Sequence, residues 1–282
     1  MSETAAELEL REVRGPSALG GGWRRFVDLL YLVSVTEFKK NYFGTALGYL
    51  WSLIRPLILF AVLLFVFTQI FRVGSLVPNY PEMLLLGIVM FSFFQEATNN
   101  AVASVVAQEG IVRKTQFPRL VIPMATVFTG LFNLALNLVA ALILVLALGL
   151  KPLWTWLYFP LIVLTMFVFT SCVSLLLSAL YVRFRDVAIM WSVAATALFY
   201  GTPVLYPFSV VPKQFHDILL INPLTPIFIQ QRHWIVDPAA PNAVDAAGGW
   251  LALVPAIVLF IGICVIGVWY FARAAPRVAE EL

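Results

Sequence analysis

Long apolar runs, separated by short polar stretches, dominate the pattern along the chain. A helix needs about 20 mainly apolar residues to cross the hydrocarbon core of a membrane. Six runs reach that length, so we expect six transmembrane helices. The predicted spans are 53–72, 83–107, 120–149, 153–181, 187–206 and 250–272. Pro56 falls in the first turn of the first span, where proline is tolerated. Pro203 and Pro207 should break or kink the end of the fifth.

The segment before the first span is only partly apolar. Residues 26–35 are too short to cross a membrane, and Glu37, Lys39 and Lys40 follow directly. Because three charges within four residues are costly in hydrocarbon, we predict an N-terminal amphipathic helix at 25–48 that lies in the membrane interface. The alternative is the first half of an interrupted span.

The segment 207–249 contains short apolar patches that are separated by Pro212, Pro223 and Pro226. Patches of three or four residues cannot cross a membrane, but they can dip into its outer leaflet. We expect re-entrant helices here, between spans 5 and 6. The alternative is an amphipathic flap on the membrane surface.

The composition of the chain supports this pattern. Of its 282 residues, 61% are hydrophobic and 12% are charged. Soluble domains average about 45–50% apolar and about 25% charged residues, so this excess of apolar side chains would not fit into one soluble core. The predicted fold class is therefore an all-α polytopic membrane protein. We expect one transmembrane domain at 23–282 that follows a flexible cytoplasmic tail at 1–22.

The positions of Lys and Arg predict the orientation of the chain. If the N-terminus is inside, 14 of the 18 basic residues lie on the cytoplasmic side, as the positive-inside rule requires. Both termini are then cytoplasmic, and the segment 207–249 is external.

The sequence contains no recognisable motif for catalysis or nucleotide binding. Residues 20–22 are glycines, but Trp23 follows them instead of the Lys-Ser/Thr pair of a phosphate-binding loop. His216 and His233 have neither a nucleophile at a recognisable spacing nor a cluster of further ligands. We therefore expect no catalytic residue, no metal site and no cofactor in this chain.

One acidic residue, Glu96, lies inside a predicted span, within the polar run 95–100. Polar groups at such depth usually face the interior of a helix bundle or a watery cavity. Glu96 therefore belongs either to a hydrogen-bonded seam between helices or to a substrate contact. A proton relay would need further acids or histidines deep in other spans, and the sequence has none.

Two groups of aromatic residues are candidates for a substrate path, because aromatic rings stack on the apolar faces of sugars. One group falls on one face of the first span, and the other lies near the end of the fifth. The alternative for both is lipid-facing packing or an interfacial belt. The residues are Phe60, Phe67, Phe71, Phe199, Tyr200 and Tyr206.

Five segments, in order and at the expected spacing, resemble the permease subunits of ABC-2 type exporters for surface polysaccharides. That family includes exporters of O-antigen, capsule and teichoic acid. The resemblance covers residues 25–272 and includes a basic Phe-Pro-Arg loop after the second span. The segments are 39–56, 112–123, 183–186, 203–207 and 222–226. The chain departs from the family pattern at Asn41, where a basic residue is usual, and at Phe91, near which a tryptophan is common.

The resemblance implies a homodimer that pairs with two copies of a separate ABC ATPase, which would carry the ATP and Mg²⁺. The cargo would be a lipid-linked polysaccharide, and the chain would reside among the lipids of the bacterial cytoplasmic (inner) membrane, with no nucleic-acid partner. The residues expected to contact the ATPase are Glu37, Arg113, Lys114, Phe117, Pro118 and Arg119. Those expected to guide the lipid headgroup are Arg24, Arg25, Lys39 and Lys40. The alternatives are an ABC-2 exporter of a drug or small lipid and, in another class, a membrane enzyme or proton-coupled carrier.

Overall fold

The computed structural model describes residues 22–42, 48, 50–72, 77–110 and 118–275. Within these ranges the regular structure is helical and contains no strand. The predicted tail at 1–22 lies outside the described residues except for Gly22.

The main helices, in chain order, are α1 (Trp23–Tyr42), α2 (Leu50–Phe65), α3 (Tyr80–Ala107), α4 (Val121–Ala147), α5 (Phe159–Arg183), α6 (Val187–Gly201), α7 (His216–Ile221), α8 (Leu224–Gln231), α9 (Ala243–Ala247) and α10 (Trp250–Ala274). A π-helical turn, Val66–Ile70, extends α2, and another, Arg232–Val236, extends α8. The 3₁₀ turn Trp154–Tyr158 leads into α5.

In the described part of the chain, four helices are long and apolar enough to cross a membrane: Leu50–Ile70, Val121–Ala147, Trp154–Arg183 and Trp250–Ala274. The other two predicted spans are not among these four helices. One is not apolar enough and the other is too short. Helix α3 is long, but its polar run lowers its hydropathy. Helix α6 has 15 residues and ends at Gly201, because the chain becomes extended at Thr202 ahead of Pro203. The break predicted at Pro203 is therefore confirmed, and the helix ends five residues before the predicted bound of 206.

Helix α2 begins at Leu50, so Pro56 lies in the helix interior and not in the first turn as predicted. A proline there removes one helical hydrogen bond, because it has no backbone N–H.

The core of the bundle is built around α3. This helix packs against α2, α4, α5 and α6. Its side chains at Leu84, Met90, Phe91 and Phe94 are fully buried. By contrast, only 11% of the residues in the most apolar stretch of Leu50–Ile70 are buried inside the chain. The share for Trp250–Ala274 is 17%. These two helices therefore present broad apolar faces to their surroundings.

Helix α1 lies against α4 through one apolar face. Phe26 and Leu30 are buried and pack on Val121 and Ala125. The hydroxyl of Thr129 also donates a hydrogen bond to the carbonyl oxygen of Ser34 at 3.2 Å. The helix of the predicted N-terminal segment is therefore present and is joined to the bundle, while its place in a membrane interface stays a prediction.

The segment after α6 folds back onto the bundle. The phenol of Tyr80 donates to the carbonyl oxygen of Leu205 at 2.8 Å, and Leu224 and Ile235 are completely buried. Trp156 Nε1 donates to the carbonyl oxygen of Ile235 at 2.9 Å. The short helices separated by prolines are thus present, and α8 with its π-helical turn belongs to the core. Their depth in a membrane stays a prediction.

Candidate functional site

A polar cleft of about 840 Å³ lies between α2, α3 and α4. Of the seventeen described residues that line it, nine carry polar or charged side chains. Pockets of this size are usually lined mainly by apolar residues, so a polar lining between membrane-spanning helices is informative. The lining residues are Gly48, Trp51, Ser52, Arg55, Pro56, Leu59, Val89, Ser92, Phe93, Gln95, Glu96, Asn99, Asn100, Gly130, Asn133, Leu134 and Asn137.

The helical repeat explains why these side chains meet. Residues at i, i+3, i+4 and i+7 share one face of a helix. Each of the three helices contributes such a set to the cleft: 52, 55, 56 and 59 from α2, 92, 95, 96 and 99 from α3, and 130, 133, 134 and 137 from α4.

The lining of the cleft contains a basic group, an acidic group and a hydrogen bond between two helices. Asn133 Nδ2 donates to Glu96 Oε1 at 3.3 Å. Arg55 lines the same cavity. The predicted hydrogen-bonded seam is therefore present, and the same residues border an open cavity.

Two buried acceptors at the cleft have no hydrogen-bond partner among the residues that the structure describes. They are the Oδ1 atoms of Asn133 and Asn137, whose side chains are 3% and 9% exposed. Buried amide oxygens in folded proteins are nearly always paired. These two atoms therefore mark a place where a hydrogen-bond donor fits.

In the sequence, Arg55 is one of the 14 basic residues on the predicted cytoplasmic side and has no other predicted role. Asn133 and Asn137 were not predicted as site residues. Their spacing of four residues within the apolar helix α4 was the available signal, because amides inside a span are costly unless they face a polar neighbour.

The predicted aromatic residues of α2 do not share one environment. Phe60 is buried, Phe67 lies 5.6 Å from Phe71 and 6.3 Å from Tyr80 between ring centroids, and Phe71 is 64% exposed. The π-helical turn between Phe60 and Phe71 alters the helical repeat on which the predicted face was based.

The predicted aromatic residues near the end of α6 form a second group. Phe199 is buried against Phe91 at 5.1 Å between ring centroids, whereas Tyr200 is 60% exposed. The phenol of Tyr206 donates to the carbonyl oxygen of Tyr200 at 2.9 Å. Neither this group nor the α2 group lines the polar cleft. Their part in a substrate path stays a prediction.

The four basic residues predicted to guide a headgroup are exposed on α1, but at opposite ends of it. Arg24 and Arg25 lie in its first turn and Lys39 and Lys40 near its end. At 1.5 Å per residue the two pairs are about 21 Å apart, so they form two separate basic patches.

The structure describes three of the six residues predicted to contact an ATPase. Gln108 Nε2 donates to Glu37 Oε1 at 3.4 Å, which ties α1 to the end of α3. Pro118 and Arg119 are buried, Arg119 with 3% exposure, so a direct contact would require Arg119 to move outwards. Arg113, Lys114 and Phe117 lie outside the described residues. These contacts stay predictions.

Comparison with known proteins gives consistent results. Residues 28–233 match the family model described as ABC-2 type transporter. The O-antigen export system permease protein RfbA of Klebsiella pneumoniae is 32% identical over 206 residues, which cover 73% of this chain and 79% of that protein. The protein of the same name from Myxococcus xanthus is 29% identical over 78% of this chain and 84% of its own length. The polysialic acid transport protein KpsM of Escherichia coli is 25% identical over 84% of this chain and 90% of its own length.

Proposed function

Because this chain belongs to the ABC-2 type transporter family, we propose that it is the membrane-spanning permease of an ATP-driven exporter of a lipid-linked surface polysaccharide. The observation that carries this proposal is the similarity to permeases named for two different surface polysaccharides, O-antigen and polysialic acid, over 73% to 84% of the chain. An exporter of a drug or small lipid is not favoured, because none of these relatives is named for such a cargo.

The energy for export comes from a separate ABC ATPase, which binds the ATP and Mg²⁺. Two ATPase copies act on two copies of this chain, and α1 receives their movement. Two contacts support this role for α1. The Thr129 hydroxyl bonds to the Ser34 carbonyl, and Gln108 bonds to Glu37, so a shift of α1 pulls on both α4 and α3.

The chain crosses the bacterial inner membrane six times with both termini in the cytoplasm. Helix α3 serves as a span despite its polar run, because that run faces the cleft and not lipid. Helix α6 spans about 22 Å at 1.5 Å per residue, and the re-entrant helices complete the crossing on the external side.

The second copy packs against the exposed apolar faces of α2 and α6. On α2, Val62 and Phe65 are 55% and 61% exposed, and on α6, Ile189 and Met190 are 70% and 69% exposed. The glycan passes between the two copies, where weak stacking on aromatic rings such as Tyr200 lets a long polymer slide.

Deletion of the gene tests the proposal. We expect lipid-linked glycan to accumulate inside the cell and surface glycan to disappear, and re-expression of this chain should restore both to normal. A deletion strain with unchanged surface glycan and no internal accumulation would contradict the proposed function.

A further inference from the structure

We propose that the polar cleft between α2, α3 and α4 binds the sugar of the exported glycan through its hydroxyl groups. The site lies within one copy of the chain and is separate from the aromatic path. The inference rests on the proposed function, because that function supplies the carbohydrate.

The buried Oδ1 atoms of Asn133 and Asn137 favour a ligand that donates hydrogen bonds. Glu96 accepts the hydrogen bond of Asn133 Nδ2, which fixes the orientation of the Asn133 amide and leaves its Oδ1 as a buried acceptor. Asn137 Oδ1 is a second buried acceptor. A hydroxyl group donates to such atoms, whereas a phosphate or a hydrocarbon chain does not.

The charges of the cleft favour a neutral ligand. Arg55 and Glu96 both line the cavity, so an anion drawn by one is repelled by the other. A hydroxyl group suits both, because its oxygen accepts from the guanidinium while its proton is donated to the carboxylate or an amide.

The lining also offers an aromatic surface. Trp51 borders the cleft and is 46% exposed, so its ring is accessible to the C–H face of a pyranose. A sugar has an apolar C–H face and polar hydroxyl groups around its edge. The indole matches the face, and the amide and carboxylate groups match the edge.

The position of the cleft indicates when it acts. Arg55 lies five residues after the start of α2, and Gly48, ahead of that helix, is also part of the lining. This end of α2 is cytoplasmic in the proposed orientation. The sugar is therefore held on the cytoplasmic side before it enters the path between the copies.

Export by a double variant gives the first test. Asn133→Ala with Asn137→Ala removes both acceptors and adds no bulk to the cleft. We expect surface glycan to fall at least tenfold, while the amount of chain in the membrane and the co-purified ATPase stay the same. Thr126→Val is the control, because its hydroxyl bonds to Pro123 of its own helix, outside the cleft. It should export like wild type.

Thiol protection gives a second measurement that does not depend on export. Cys172 and Cys264 are replaced by alanine, Asn100→Cys is introduced at an exposed position of the lining, and inverted vesicles that contain the ATPase are treated with a trimethylammonium methanethiosulfonate. We expect glycan released from its lipid by mild acid to slow labelling at least fivefold and inorganic pyrophosphate to leave the rate unchanged. Thr36→Cys, exposed on α1, is the control and should not be protected.

The outcomes separate the inference from the proposed function. Wild-type export together with near-normal export by the double variant overturns the sugar site alone. So does labelling that glycan does not slow, or that only pyrophosphate slows. If the wild-type chain exports no glycan, the proposed function fails instead.

Discussion

A single methyl group added at Gly267 should destabilise the bundle, because the backbones of α10 and α5 approach each other closely there. A Cβ at this position would lie under 3.0 Å from the carbonyl oxygen of Cys172 and 3.1 Å from its carbonyl carbon. Carbon atoms pack best at about 3.5–4.0 Å, so the new atom overlaps backbone that no rotamer change can move. Close packing at small residues of this kind is common between membrane helices.

Overpacking of this kind costs about 1–3 kcal/mol. At roughly 2–4 °C per kcal/mol, the midpoint of thermal unfolding of Gly267→Ala should fall by about 2–12 °C. The matched control is Gly262→Ala on the same helix, where an added Cβ meets nothing within 4 Å. Thermal unfolding of both variants in the same detergent measures the difference. If Gly267→Ala and Gly262→Ala unfold at the same temperature, the close approach of α10 to α5 is refuted.

Three further predictions concern single contacts. Tyr80→Phe removes the hydrogen bond to the buried carbonyl of Leu205, so the free energy of unfolding should fall by about 1 kcal/mol, and an unchanged value would contradict that bond. Glu37→Ala breaks the hydrogen bond from Gln108, so glycan export per ATP hydrolysed should fall at least twofold in reconstituted complexes. An unchanged ratio of export to ATP hydrolysis would show that α1 does not transmit the movement of the ATPase. Tyr200→Ala should lower surface glycan while the ATPase still co-purifies, and the exposed Tyr158→Ala is the control.

Hydrophobic pattern alone located most of the helices. The predicted spans 120–149 and 153–181 correspond to the helical stretches Val121–Ala147 and Trp154–Arg183. These bounds follow from the length of the apolar runs, which is a property of the local sequence. The prolines predicted a break or kink at the end of α6, but the pattern did not locate the last helical residue, because the extended backbone begins at Thr202, before the first of these prolines.

The hydrophobic pattern could not predict the polar cleft, because the cleft depends on which helices are neighbours in the fold. Glu96 stood out in the sequence as a charge in a span, but its partner Asn133 lies on another helix, 37 residues away. An amide lowers the hydropathy of α4 only slightly. The exposure of Phe71 could not be predicted either, because a π-helical turn leaves no clear mark in the sequence.

ATP-driven movement of lipid-linked glycan tests the central claim most directly. The chain is reconstituted with its ABC ATPase in proteoliposomes that carry labelled lipid-linked glycan, and an added glycosidase reports which side of the membrane the glycan occupies. We expect glycan to cross the membrane only when the chain, the ATPase and ATP are all present. Movement by the chain without ATPase or ATP, or no movement with all three, would contradict the account.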